Sequence, residues 1–478
     1  MSFQNTEKKA SIAVVGLGVM GQNLILNIAD KGYKVVAYNR EKASVDNFLE
    51  ENKQNSNIIG SHSAKEMVEK LSNPKIVFLM VKAGWVVDSF LDEIVPFLNE
   101  GDVVIDGGNS NYLDTQRRSS ELSEKGIHFI GAGISGGEEG ARYGASIMPG
   151  GDQKAWPIVR DILQAISAKT TDGESCCKWI GQGGSGHFVK MVHNGIEYGD
   201  MQLISEVYHF MKVALSLEND QMAGVFEDWN ENSMLKSYLI EITAKILEFK
   251  DSDGQYVLDY ILDRAGQKGT GKWTAMESLD VGSPLTLIAE SVFARFLSSQ
   301  KDTRVKAENF YCCVKERRVE LSEEIIKDLQ QALLFAKIIS YAQGFMLMKE
   351  ASDKNEWKLN YGDIALVWRE GCIIRSVFLN DIKSAYSKNP ELENLLFDDY
   401  FKGVIKETLP SIRSIASLAI KAGIPMPALN SAITFFDGFT TARLPANLLQ
   451  AQRDYFGAHT YQRVDRGESE FFHTNWNI

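Results

Sequence analysis

The sequence predicts an α/β unit with a doubly wound parallel sheet, then a large all-α unit and a C-terminal tail. Three observations carry this expectation. Short β-branched runs alternate with helical segments through residue 183. The glycine cluster IGQGGSG at 180–186 then ends that texture, and long helical periodicity takes over to residue 440. Beyond it the chain is aromatic and charged with little periodicity, so it needs another surface to dock on. The boundaries are drawn at 1–183, 184–440 and 441–478, since 478 residues exceed what one hydrophobic core supports.

Composition excludes several classes. At 44% hydrophobic and 24% charged residues, disorder and fibrous structure are not expected. A net charge of −12 argues against a nucleic-acid partner, because backbone binding needs a basic surface. The charge does not exclude a small anionic ligand, since converging Arg and Lys reverse the field inside one cleft. The N-terminal MSFQNTEKKA has no apolar core of a signal peptide, and no stretch approaches the roughly 18 apolar residues of a bilayer span. Neither secretion nor a membrane is therefore expected. Cys176, Cys177, Cys312, Cys313 and Cys372 lack zinc-site spacing and read as free thiols of a reducing cytoplasm.

The strands are expected at SIAVV (11–15), KVVAY (34–38), KIVFLMV (75–81), DVVID (102–106) and HFIGAG (128–133). Their near-continuous apolar character suits strands buried on both faces. LILNIADKG after the first strand reads as a helix stopping at Gly32. Alternation of this kind implies right-handed βαβ crossovers.

Between the first strand and its helix stands Gly16-Leu17-Gly18-Val19-Met20-Gly21. In that context GxGxxG marks a Rossmann-type dinucleotide-binding turn. Its glycines serve the tight turn, the approach to the pyrophosphate and the helix–strand packing. The helix N-terminus offers free N–H groups to the phosphates. The second strand ends in Asn39-Arg40 rather than in an acid for a ribose hydroxyl. A guanidinium forks onto a 2′-phosphate, so NADP is the expected cofactor. Glu41 would oppose that phosphate if it pointed inward.

Lys190, His193, Asn194, Glu197 and Tyr198 fall on one stripe of a helix at i, i+3, i+4, i+7 and i+8. Each can form hydrogen bonds. A solvated face would rarely mix His, Asn and Tyr with only one Lys and one Glu, and Leu, Ile and Val look too sparse elsewhere to define a core face. The stripe is expected to line a cleft.

The run GSGHFVKMVHNGIEYGDMQ resembles the corresponding helix of 6-phosphogluconate dehydrogenases. So do IDGGNS (105–110), ISGGEEGARYG (134–144), GQKGTGKWT (266–274), FARFLSS (293–299), REGCIIRS (369–376) and QAQRDYFGAHTY (450–461), in family order over nearly the whole chain. The resemblance implies Lys190 and Glu197 as catalytic residues. It places Asn109, Ser135, Gly136 and Gly137 near the substrate's carboxylate and the nicotinamide, and includes His193 and Asn194 among the substrate contacts. Tyr198, Lys268, Thr270 and Arg295 resemble phosphate-binding residues, and Val81, Lys82 and Ala83 lie at a strand end near the cofactor. Arg453 and His459 match tail residues that enter the other subunit's active site, which implies a homodimer with exchanged tails. Departures are Gly18 where many relatives have Ala, Glu41 where most have Thr, and WREG at 368–371 in place of WRGG.

The implied reaction is NADP-dependent oxidation and decarboxylation of 6-phosphogluconate. Lys190 must start neutral to act as a base, so its pKa should be lowered by burial and nearby positive charge. No carboxylate cluster at metal-ligand spacing appears, and no metal is expected. A β-hydroxyacid dehydrogenase that does not decarboxylate shares the glycine loop, the SGG turn and the lysine. It lacks the second helical half and the RxxxxxH tail. A non-catalytic NADP-binding scaffold would need neither Lys190 nor Glu197.

Overall fold

The segments Ile12–Val15 (β1), Val35–Tyr38 (β2), Ile58–Ser61 (β3), Ile76–Leu79 (β4), Val103–Asp106 (β5), His128–Ser135 (β6), Ser146–Gly151 (β7) and Gly181–Gln182 (β8) form one sheet. A computed structural model describes them as part of residues 9–311 and 318–476. The order is β3-β2-β1-β4-β5-β6-β7-β8. Alternate residues of each early strand feed two separate cores. Ile12, Val14, Val35 and Ala37 lie on one face, and Ala13, Val15, Val36 and Tyr38 on the other. This is the both-faces burial that the continuous apolar runs predicted.

The parallel expectation fails at one edge. β7 runs antiparallel to β6, and β8 runs parallel to β7. The link across residues 136–145 is shorter than the dozen or so residues a parallel crossover needs. The sequence reading missed three strands. IIGS lacks a strong alternation, GQ is only two residues, and SIMPGG reads as a turn. In β7 Gly150 serves packing: a Cβ there would stand 2.4 Å from Gly186 N at the start of the helix Ser185–Val213.

The helical half is built around Ser185–Val213 and Glu323–Asn355. Phe188, Val189, Met191, Val192, Ile196, Leu203 and Ile204 of the first are all buried. The expectation of too few apolar residues for a core face was therefore wrong: this helix is enclosed on most of its circumference. The second is long and apolar enough to cross a membrane, contrary to the sequence reading. Its most apolar stretch is 89% buried within the protein, as the core of the helical half.

Cys176, Cys177 and Cys372 are buried free thiols, and burial pushes the Cys176 thiol up to about 11. Cys312 and Cys313 lie outside the described residues. The tail is more regular than expected, because Ala446–Gly457 is a helix. Asp454 is its buried residue, and its carboxylate accepts from Thr460 N, His473 Nδ1, Thr474 N and Trp476 Nε1 at 2.8–3.0 Å. This clasp closes the tail on itself, while Leu448, Leu449, Tyr455 and Phe456 stay exposed.

Candidate active site

The glycine turn after β1 has the steric demands its motif predicts. Gly16 sits at φ 102°, where a Cβ would lie 2.5 Å from Met80 O. A Cβ on Gly21 would lie 1.9 Å from Gly16 O, so the helix Val19–Asp30 can pack on the turn only without one. Gly18 is different. It caps that helix, and a Cβ there would meet nothing within 4 Å, so an alanine fits. Leu17 is buried, whereas Gly18 and Val19 face solvent, where a phosphate can approach.

Asn39 and Arg40 follow β2. Arg40 is exposed, and its Nη2 donates to Ser89 Oγ at 3.0 Å. Glu41 is exposed and accepts from Ser44 Oγ at 2.8 Å at the start of the next helix. Val81, Lys82 and Ala83 form the exit of β4, and Asn109 is exposed on the turn after β5.

The predicted stripe is present, and it is buried. Lys190 is 6% exposed and His193 fully enclosed, with Lys190 Nζ 3.2 Å from His193 Nδ1. The helix reaches the sheet because β6 carries Gly133, where a Cβ would stand 2.3 Å from that of Lys190. Burial lowers the Lys190 pKa to about 8, against the pull of Glu197. Nearby positive charge, the second expected cause, plays no part. His193 also falls well below its ordinary value, through burial and then Lys190. Its Nε2 lies 3.2 Å from Ser135 Oγ, tying the stripe to the end of β6. A neutral ring accepting from Lys190 at Nδ1 donates to Ser135 at Nε2. Asn194 Oδ1, 3.1 Å from the same Nδ1, competes for that position.

Glu197 is the one member of the stripe open enough to meet solvent, and burial still raises its carboxyl pKa. The turn Ser135-Gly136-Gly137 abuts the 368–372 segment. Gly136 sits at φ 121°, with Gly371 O 2.5 Å from where its Cβ would be. Sequence reasoning assigned no role to Trp368 or Cys372. The indole stands edge-on to His193 at 5.7 Å, and the buried Cys372 thiol donates to Trp368 O at 3.1 Å. No periodicity marks either one, since both reach the site through a distant loop.

Farther along, Arg295 stacks over the Tyr198 ring at 3.5 Å, and Gly271 packs against the ring's other atoms. Thr270 opens the helix Thr270–Val281, whose first N–H groups have no side-chain cap, and Lys268 is exposed beside it. A cation, a phenol, a hydroxyl, an ammonium and a helix N-terminus therefore share one locality, the chemistry of a phosphate site. Arg453 and His459 sit apart on the exposed tail. Arg453 donates to Gln450 Oε1 at 3.0 Å, and His459 leans on Phe456.

Residues 11–181 match the NAD binding domain of 6-phosphogluconate dehydrogenase, and residues 186–476 match its C-terminal domain. The decarboxylating 6-phosphogluconate dehydrogenase of Aggregatibacter actinomycetemcomitans is 58% identical over 98% of this chain and 96% of its own length. The Homo sapiens enzyme of that name is 54% identical over 98% and 97%. This chain belongs to the 6-phosphogluconate dehydrogenase family. The Plasmodium falciparum 6-phosphogluconate dehydrogenase, solved apo, with its cofactor NADP+ and with its substrate 6-phosphogluconate, superposes with a TM-score of 0.93. That match has 45% identity and covers 98% of this chain and all of the other. As a family member, the chain is an oxidoreductase with a Rossmann-type domain and a helical C-terminal domain.

Proposed function

We propose that the chain oxidises and decarboxylates 6-phospho-D-gluconate to D-ribulose 5-phosphate and carbon dioxide with NADP. The observation that carries this reading is Lys190, buried on the stripe with its pKa brought down to about 8. A lysine in that range is partly neutral at physiological pH and can take a proton.

The residues present fit NADP. Gly16 and Gly21 clear space that a Cβ would fill, and Arg40 presents an exposed guanidinium where a 2′-phosphate would sit. NADP, when bound, accepts the hydride from C3 of the substrate. Lys190 Nζ takes the proton of the C3 hydroxyl. As an ammonium, it then hydrogen-bonds the C3 oxygen while the carboxylate leaves as carbon dioxide. Glu197, whose raised pKa favours its protonated form, delivers a proton to the carbon that carried the carboxylate, which becomes C1 of the product. His193 and Asn194 orient Lys190 and the substrate hydroxyls, while Asn109, Ser135, Gly136 and Gly137 receive the carboxylate end. Tyr198, Lys268, Thr270 and Arg295 hold the phosphate.

Arg453 and His459 complete the phosphate site from a second copy, making a homodimer with exchanged tails. Support comes from their exposure and from the apolar face around Leu448, Leu449 and Phe456 that its own chain leaves uncovered. A cytoplasmic location, without nucleic-acid or membrane partners, fits the acidic charge and the buried cysteines.

The test follows NADPH formation and carbon dioxide release together with 6-phosphogluconate as substrate. Equal rates are expected. NADPH without carbon dioxide would point to the non-decarboxylating β-hydroxyacid reading, and neither product to a scaffold.

A further inference from the structure

Arg118 is fully buried, yet it lies on the polar helix Tyr112–Ser123 and belongs to no motif of the site. Its guanidinium reaches three places. Nε and Nη2 donate to the two carboxylate oxygens of Asp88 at 2.8 and 2.9 Å. Nη2 also donates to Gly84 O at 3.0 Å, and Nη1 reaches Asp106 Oδ2 at 3.4 Å. Asp106, itself fully buried, shapes the turn after β5 by accepting from Gly108 N at 3.0 Å and Ser110 Oγ at 2.6 Å. Gly84 and Asp88 belong to the loop after β4 and the helix it enters. These two loops touch: a Cβ on Gly108 would stand 3.1 Å from Val81 O.

We infer that Arg118 is a positioning residue for the oxidation, clamping the Val81–Gly84 loop and the Gly107–Ser110 turn at a set spacing. The inference rests on the reading that Lys82 and Asn109 on those loops meet the cofactor and substrate. Arg118 is fully buried and acts through those loops. Its fork is fixed and planar, so it sets angles as well as distances, which an ammonium on a flexible stem does not. The same helix also holds the long helix of the site, through Thr115 Oγ1 and His187 Nδ1 at 2.6 Å. Misplacing a binding loop by about 1 Å costs up to about a hundredfold in rate.

The test compares Arg118→Lys, which keeps the charge but loses the fork, with Asp88→Asn, which weakens the clamp from its half-exposed end. In folded Arg118→Lys, KM for NADP should rise and kcat fall by about tenfold each, with smaller shifts the same way for Asp88→Asn. A purely structural role would lower the denaturation midpoint and leave both constants of the folded enzyme unchanged, which overturns the inference. If Arg118→Lys does not fold, Asp88→Asn decides on the same criterion. Lys82→Ala and Asn109→Ala serve as controls. Normal constants in both would show that the loop assignment is wrong, and the inference falls with it. Impaired controls beside a normal Arg118→Lys would refute the clamp alone.

Discussion

Nζ of Lys190 lies 3.2 Å from Nδ1 of His193, one turn along a helix that buries both. Neither group keeps a proton easily there. Burial is the main cause for each, and a charged Lys190 further disfavours a charged His193.

The pH dependence of the reaction follows. Lys190 works as a base only when neutral, so kcat/KM should rise with pH and level off above about 8. Lys190→Met should abolish both the activity and the profile. The same group affects stability with a definite sign. Its folded pKa lies below the ordinary 10.5, so between about 8 and 10.5 the unfolded chain holds the extra proton. Across that window its contribution to stability rises with pH. Urea midpoints of wild type and Lys190→Met against pH would reveal it.

Arg40 should read the 2′-phosphate. Losing such a charge-assisted bond costs about 1.5–3 kcal/mol. Arg40→Ala should therefore weaken NADP binding by about one to two orders of magnitude and leave NAD nearly unaffected. Equal losses for both dinucleotides, measured by titration, would remove Arg40 from that role.

Three glycines make a graded series. Gly18→Ala meets nothing within 4 Å and should bind NADP as wild type does. Gly21→Ala drives a Cβ to 1.9 Å from backbone and should abolish cofactor binding. Gly133→Ala presses on Lys190, and such overpacking costs about 1–3 kcal/mol. Its signature would be a lower kcat with NADP affinity retained.

The buried ion pair of Asp200 and Lys337, 2.8 Å apart, joins the two central helices of the helical half. Lys337→Met strands the carboxylate and should cost about 3–5 kcal/mol in urea unfolding. The double variant with Asp200→Asn should regain much of it, and no recovery would show that the two side chains act independently.

Tail exchange is tested by mixing two inactive variants, Lys190→Met and Arg453→Ala, under conditions that let subunits exchange. One site of each mixed dimer has an intact Lys190 and receives an intact Arg453. Activity should return toward half the wild-type value per mixed dimer. Verified mixed dimers without activity would mean that each site is built from one chain.

Much of this was legible in the chain itself. Local steric rules tie GxGxxG to a strand and a helix, and helical periodicity alone put Lys190, His193, Asn194, Glu197 and Tyr198 on one stripe. Motif order supplied the family, later matched across both halves. What it did not reveal depends on elements distant in sequence. The antiparallel β7 looked like a turn because Gly150 and Gly151 serve close backbone contacts with the helix Ser185–Val213 and with β6.

Sequence by itself determined which side chains share a helix face, because 3.6 residues per turn is a local property. Only the tertiary structure decided that this face is buried, that burial brings Lys190 down to about 8, and that Ser135 and Trp368 stand against His193. It also decided that Glu41 turns toward Ser44 and that Arg118 lies beneath two loops of the site. A pKa is set by the dielectric and charges around a group, and those come from residues tens to hundreds of positions away.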